Sequence, residues 1–222
     1  MVKDTYGRKA VFSGIKSQTL VTIIMGVVEM VFFSVMSRIL SQEDFGYYAI
    51  ITAVTVVLTT ITEAGMGSTL IQRKNPSEQF ISTAFTISFG IGTISSLFLL
   101  LTAPLFSRIM TGDDSLTLAF RLMALPLLLS NVNSIARATM MRKLNFFKFG
   151  VFQIIAFVIS NSIAVFVALT GYGFYAIITG AVLNQLFMTV LLYTFSHFTP
   201  KFRVYRQEVK SIVVFGLQCM FL

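Results

Sequence analysis

Apolar residues in this chain come as long uninterrupted blocks separated by short polar stretches, with neither the alternation of strands nor the narrow stripes of surface helices. A helix needs roughly 20 mostly apolar residues to cross a hydrocarbon layer about 30 Å thick. Six blocks reach that length: Ser17 to Ser37, Phe45 to Ala64, Phe80 to Pro104, Leu116 to Ala136, Phe149 to Thr170 and Phe174 to Thr194. Each predicts a membrane-spanning helix. A seventh block opens at Ser211 and stops at Leu222, too short to span, so the chain reads as a fragment of a longer protein. The blocks are continuous over about twenty residues, which excludes the ten-residue alternating strands of a β-barrel. The first block is too long for a signal-peptide core, and no small-residue cleavage site follows it.

The expected architecture is an all-α integral membrane protein. It has a cytoplasmic N-terminal segment (1–16), a six-helix transmembrane bundle (17–194), a basic cytoplasmic linker (195–210) and the start of a seventh helix (211–222). Composition agrees: 55% hydrophobic and 12% charged residues, with a mean hydropathy of +0.82, leave too little polar surface to cover a soluble core.

The net charge of +8 would suggest nucleic acid in a soluble domain. Here its placement gives another cause. Lys3, Arg8, Lys9 and Lys16 precede the first block; Arg73 and Lys74 lie in the second loop; Arg137, Arg142, Lys143 and Lys148 in the fourth; Lys201, Arg203, Arg206 and Lys210 in the sixth. Only Arg38 and Arg108 fall in the intervening loops, and Arg121 lies inside the fourth block. Basic residues mark cytoplasmic loops, so the N-terminus is expected in the cytoplasm. The basic loops face the headgroups of membrane lipids; without aromatics interleaved among the cations, no nucleic-acid partner is expected.

Cys219 and His197 are each alone, which leaves no intrachain disulfide, no metal pair and no catalytic triad to assemble. Asp113 and Asp114 are the carboxylates an enzyme reading would use. Their loop between Pro104 and Leu116 has no room for an active-site domain, and Thr-Gly-Asp-Asp-Ser reads as a turn and helix N-cap.

Charges inside the blocks carry more information, because an ionised side chain at the bilayer centre costs at least about 2.5–3.5 kcal/mol. Counting from the cytoplasmic face puts Glu29 and Arg121 roughly 18 and 22 Å up, at similar depth. The expectation is that they face one interior and feel each other, as part of a transport pathway or as a scaffolding ion pair. Polar stripes accompany them. Gln18, Thr22, Gly26 and Glu29 fall within an arc of about 80° on the first helix, and Thr52, Thr55, Thr59, Thr62 and Glu63 within about 100° on the second. Pro126 interrupts the fourth block and is followed by Ser130, Asn131, Asn133 and Ser134; Asn161, Asn184 and Gln185 add polar groups to the last two. Packing through small residues accounts for many such positions; a solvated pathway accounts for the rest.

Three connections identify a resemblance. SRILSQEDFGYYAII (Ser37 to Ile51), EAGMGSTLIQRKNPSEQFISTAF (Glu63 to Phe85) and NSIARATMMRKLNFFKFG (Asn133 to Gly150) resemble successive loops of the Wzx-like polysaccharide flippases, in the right helix order. That family belongs to the multidrug, oligosaccharidyl-lipid and polysaccharide exporter superfamily, whose members resemble two six-helix bundles facing a central cavity. This chain would supply the first. Ile15-Lys16-Ser17 and Val209-Lys210-Ser211 echo one another at a period near 194, as such a repeat requires.

The resemblance implies translocation of a polyprenyl-pyrophosphate-linked oligosaccharide to the outer leaflet, for O-antigen, capsule or exopolysaccharide synthesis. It makes Arg121, Arg137, Arg38 and Asn131 the residues expected to meet cargo, and Glu29 and Glu63 the carboxylates expected to couple transport to H+ or Na+. No cofactor is implied; a polysaccharide polymerase and chain-length machinery are the implied protein partners. The alternatives are a small-molecule or drug exporter of the same superfamily, whose cationic cargo calls for acids without a buried arginine, and a membrane scaffold in which nothing moves.

Overall fold

The computed structural model describes residues 8–63, 76–142, 145–195 and 201–209, with the side chains of residues 8–15, 17 and 63 outside that description. The seventh apolar block, His197 and Cys219 also lie outside it. Six long helices account for most of the described chain: α1 Arg8–Ile39, α2 Gln42–Glu63, α3 Glu78–Thr111, α4 Thr117–Arg142, α5 Phe146–Leu169 and α6 Tyr175–Phe195. All six are long and apolar enough to cross a membrane. A short helix, α7, follows at 206–209.

The helices correspond to the six apolar blocks, but three outrun them. α1 begins nine residues before Ser17. α3 passes through Pro104 and continues to Thr111: proline removes one backbone hydrogen bond, and beyond it the fully buried Ser107 ties the last turns to the following loop by donating to the Asp113 carbonyl at 2.8 Å. α4 runs on past Ala136 to Arg142. This last extension places Arg137 on a helix wall.

Local chemistry fixes the ends. Ser77 caps α3 by accepting from the Phe80 N–H at 3.1 Å, and Gly112 closes it in the left-handed conformation at φ 81°. Ser41 and Asp44 cap α2 reciprocally: Asp44 N–H donates to Ser41 Oγ at 3.1 Å, and Asp44 Oδ2 accepts from the Ser41 N–H at 3.0 Å. Lys148 Nζ donates to the Phe195 carbonyl at 3.1 Å, placing a cation on the C-terminus of α6.

α4 is the hub. It packs on α3, α6, α2 and, more lightly, α5, and 61% of its membrane-crossing window is buried. Ser96 Oγ of α3 donates to the Ala124 carbonyl at 2.8 Å, and Tyr193 Oη of α6 to the Val132 carbonyl at 2.9 Å. α1 leans on α5, where Gly150 lies so close to Val21 that a Cβ would meet its side chain at 2.4 Å. It does not pack along α2, its neighbour in sequence. That divergence opens the bundle on one side.

Residues 201–209 return across α3. Tyr205 N–H donates to Thr83 Oγ1 at 3.1 Å, Lys201 pairs with Glu78 at 2.9 Å, and the Phe202 ring meets Phe85 and Phe89, each at 5.3 Å. The basic linker is thus docked along the start of α3.

Candidate functional site

Where α1, α4, α5 and α6 converge, they enclose a cavity of about 300 Å³ whose wall is more polar than apolar. Helical spacing aims its residues. Ser130, Asn133 and Arg137 stand three and four apart on α4; Phe149, Gln153 and Phe157 four apart on α5; Met25 and Glu29 four apart on α1. Asn184, Gln185, Met188 and Leu192 of α6 complete the wall. One cation, one carboxylate and four carboxamides therefore share a single space inside an apolar bundle.

Two further spaces adjoin it. Ser130, Asn184 and Gln185 also line a cavity of about 200 Å³ against Thr52, Thr55 and Thr59 of α2 and Pro126 of α4. Glu29 and Phe157 also line a groove of about 860 Å³ in the gap between α1 and α2, where Phe32, Phe33, Met36, Phe45 and Val56 make the wall apolar. A polar space and an apolar one meet across Glu29. α3 contributes to none of the three.

The structure brings Glu29 together with Arg137 and not with Arg121. Arg121 lies about one turn inside the end of α4 far from the basic loops and is exposed. It is about 6 Å along the axis from Thr117 at that end of α4, whereas Glu29 is about 15 Å from Ile39 at the same end of α1. Measured from that end, the two charges stand at different depths. Rotation separates them too: sixteen positions turn Arg121 about 160° from Arg137 around α4.

Asn131 is likewise turned away. At 1% exposure it donates from Nδ2 to Thr62 Oγ1 at 3.0 Å and to the Leu127 carbonyl at 2.9 Å, and it sits against Gly92 of α3. Arg38 is exposed in the last turn of α1, beside Ser34 and Val35 on an outward apolar surface. Glu63 closes α2, and its side chain lies outside the described residues.

Of the α1 stripe, Glu29 reaches the cavity, while Thr22 turns back to the Gln18 carbonyl at 2.9 Å. The α2 threonines divide: Thr52, Thr55 and Thr59 line the smaller cavity, and Thr62 holds Asn131. Thr55 and Thr59 also donate to carbonyls of the preceding turn, so their hydroxyls serve packing and cavity together. Gln153 went unremarked in the sequence although it is one of few polar residues in the fifth block.

Asp113 and Asp114 build the turn between α3 and α4. Asp114 takes a bidentate bond from Arg108 at 2.9 and 2.8 Å; Asp113 Oδ1 accepts from Thr111 Oγ1 at 2.9 Å and from the Ser115 N–H at 3.0 Å. Ser115 and Thr111 hold Asp113, and Arg108 holds Asp114, below the ordinary aspartate value. No group of three or more His, Cys, Asp or Glu side chains gathers among the described residues.

Residues 35–222 match the family described as polysaccharide biosynthesis protein. The chain belongs to that family. Within the polysaccharide biosynthesis protein family, it is 26% identical over 186 residues to the succinoglycan biosynthesis transport protein ExoT of Rhizobium meliloti (strain 1021), covering 84% of this chain and 37% of the relative. It is 24% identical over 146 residues to the lipopolysaccharide biosynthesis protein WzxC of Escherichia coli (strain K12), covering 66% of this chain and 30% of the relative. The chain thus matches about a third of the length of these relatives. No solved structure matches it. The resemblance to Wzx-like flippases read from Ser37–Ile51 and the two later loops agrees with this membership. With six apolar helices among the described residues, this member of the polysaccharide biosynthesis family is a multi-pass protein of the bacterial cytoplasmic membrane.

Proposed function

We propose that this chain forms one bundle of a transporter that flips a polyprenyl-pyrophosphate-linked oligosaccharide from the inner to the outer leaflet by alternating access, for cell-surface polysaccharide synthesis. The observation that carries this reading is the junction of the polar cavity with the apolar α1–α2 groove across Glu29 and Phe157. The cargo is divided in the same way, into an anionic, hydroxyl-rich head and a hydrocarbon tail. A head of that kind cannot enter hydrocarbon unaided, and a cation with several amides lowers the barrier.

In this reading Arg137 meets the pyrophosphate, the amides meet sugar, and the groove lies alongside the tail. Arg137 in the cavity favours an anionic cargo over the cationic cargo of a drug exporter. The basic end of the bundle faces the cytoplasm, where such a cargo is assembled. Glu29, on the wall shared by cavity and groove, and Glu63 are the carboxylates assigned to coupling with H+ or Na+. The sugar chain is handed on to a polymerase and its chain-length machinery.

The test uses the full-length protein in liposomes holding a fluorescent polyprenyl-pyrophosphate glycan, with exposure in the outer leaflet followed under imposed H+ or Na+ gradients. Protein-dependent, gradient-driven flipping is expected, with Glu29→Gln losing the response to the gradient. No flipping by folded wild type under either gradient contradicts the reading.

A further inference from the structure

Asn133 lines the polar cavity at 6% exposure. Its Nδ2 donates to Thr189 Oγ1 at 2.9 Å. Thr189 has a single hydroxyl proton, and that proton goes to the Gln185 carbonyl at 2.7 Å. With its proton on that carbonyl, Thr189 accepts from Asn133, which sets the nitrogen toward α6 and leaves the oxygen as the free end of the amide. The oxygen, Oδ1, has no hydrogen-bond partner. A buried acceptor left unpaired is costly, and a donor brought by a ligand would relieve it.

We infer that Asn133 Oδ1 accepts a hydrogen bond from a sugar hydroxyl of the cargo, which makes Asn133 a specificity-determining residue of the cavity. The inference rests on the flippase reading and deepens it. An ionised phosphate has no proton to offer Oδ1, so it is excluded from this position, whereas a hydroxyl supplies the missing donor. Arg137 stands one turn away on the same face of α4, about 6 Å along the axis, and takes the phosphate. Phosphate and adjoining sugar are thus read by two neighbouring positions of one helix. The cavity, about 300 Å³, has room for about ten water molecules. That is room for a sugar ring beside its phosphate. Gln153, Asn184 and Gln185 offer both donors and acceptors to the remaining hydroxyls.

The test measures binding to the full-length protein in detergent by calorimetry. The probes are farnesyl pyrophosphate, the same lipid carrying glucose or galactose, and the monodeoxy analogues of each sugar. A sugar-bearing probe is expected to bind more tightly than the bare one, with one deoxy analogue weaker by roughly tenfold. Asn133→Ala is expected to erase that discrimination, with farnesyl pyrophosphate binding reduced less than that of the sugar-bearing probes. Thr189→Val keeps Asn133 but frees its amide to turn over, and is expected to blunt the same discrimination, so the result does not depend on one variant folding. Equal binding of the sugars and all their deoxy analogues by wild type, or an equal loss for every probe in Asn133→Ala, overturns this inference and leaves Arg137 as the phosphate site. Failure of wild type to bind any of the pyrophosphates overturns the flippase reading along with it.

Discussion

Asp44 Oδ1 accepts the backbone N–H of Phe174 at 2.8 Å, joining the turn before α2 to the turn before α6 across 130 residues of chain. Its other oxygen, Oδ2, accepts from the Ser41 N–H and hydroxyl at 3.0 and 2.7 Å. Gly173, at φ 54°, permits this approach, since a Cβ there would stand 2.5 Å from Oδ1. One carboxylate thus caps a helix and fastens two turns at the end away from the basic loops.

Asp44→Ala removes both functions and leaves the Phe174 N–H without its acceptor. The expected loss is about 1–3 kcal/mol of stability, read as a fall in thermal unfolding temperature in detergent. Asp44→Asn, which keeps an acceptor oxygen, should lose less. Equal stability of all three proteins would contradict the fastening role.

Gly150→Ala should separate α1 from α5. The new methyl would meet Val21 Cγ1 at 2.4 Å and Cβ at 2.9 Å, too near the backbone for a rotamer change to relieve it. Overpacking of this kind costs about 1–3 kcal/mol. Adding Val21→Ala in the same chain should recover most of the loss, and a double-mutant cycle of thermal stabilities reads the coupling.

The six helices were legible in the sequence because membrane-crossing length is written in apolar residues alone. Their ends were not. Phe80 to Pro104 became Glu78–Thr111, and Leu116 to Ala136 became Thr117–Arg142, because a helix continues past its apolar block wherever its backbone bonds are still made. That difference decided the site. With α4 ended at Ala136, Arg137 fell in a loop and Arg121 read as the charge facing Glu29; with α4 carried to Arg142, Arg137 stands on the cavity wall with Glu29 and Arg121 does not. The spacing of Ser130, Asn133 and Arg137, three and then four apart, was the available signal. No pattern within one helix shows that α1 packs on α5 and parts from α2, and the apolar groove arises from that choice of neighbours.

Asn131 and Asn133, two residues apart, should behave oppositely. Asn131→Leu breaks the bond to Thr62 between α4 and α2 and should lower stability by about 1–3 kcal/mol, with cargo affinity kept in the folded fraction. Asn133→Ala should act on affinity. Thermal unfolding and probe binding measured on both variants separate the two roles.

The turn between α3 and α4 should loosen in acid. Ser115 and Thr111 depress the folded pKa of Asp113, and Arg108 depresses that of Asp114. A depressed carboxylate contributes stability in full above its unfolded value, about 3.9, and loses it as pH falls through the folded value. Hydrogen exchange at residues 112–117, corrected for intrinsic rate, should therefore accelerate below about pH 4 relative to the centre of α4. Unchanged protection there would contradict the assignment.

The central claim is that Arg137, and not Arg121, handles the charged head of the cargo. The most direct measurement is the flipping rate of the fluorescent polyprenyl-pyrophosphate glycan by full-length protein in liposomes, compared between Arg137→Ala and Arg121→Ala with thermal unfolding of each as a folding control. Arg137→Ala should slow flipping at least about tenfold, as loss of a charge-assisted bond requires, and Arg121→Ala should stay near wild type. Flipping abolished by Arg121→Ala and spared by Arg137→Ala would contradict the claim and move the site to the other face of α4.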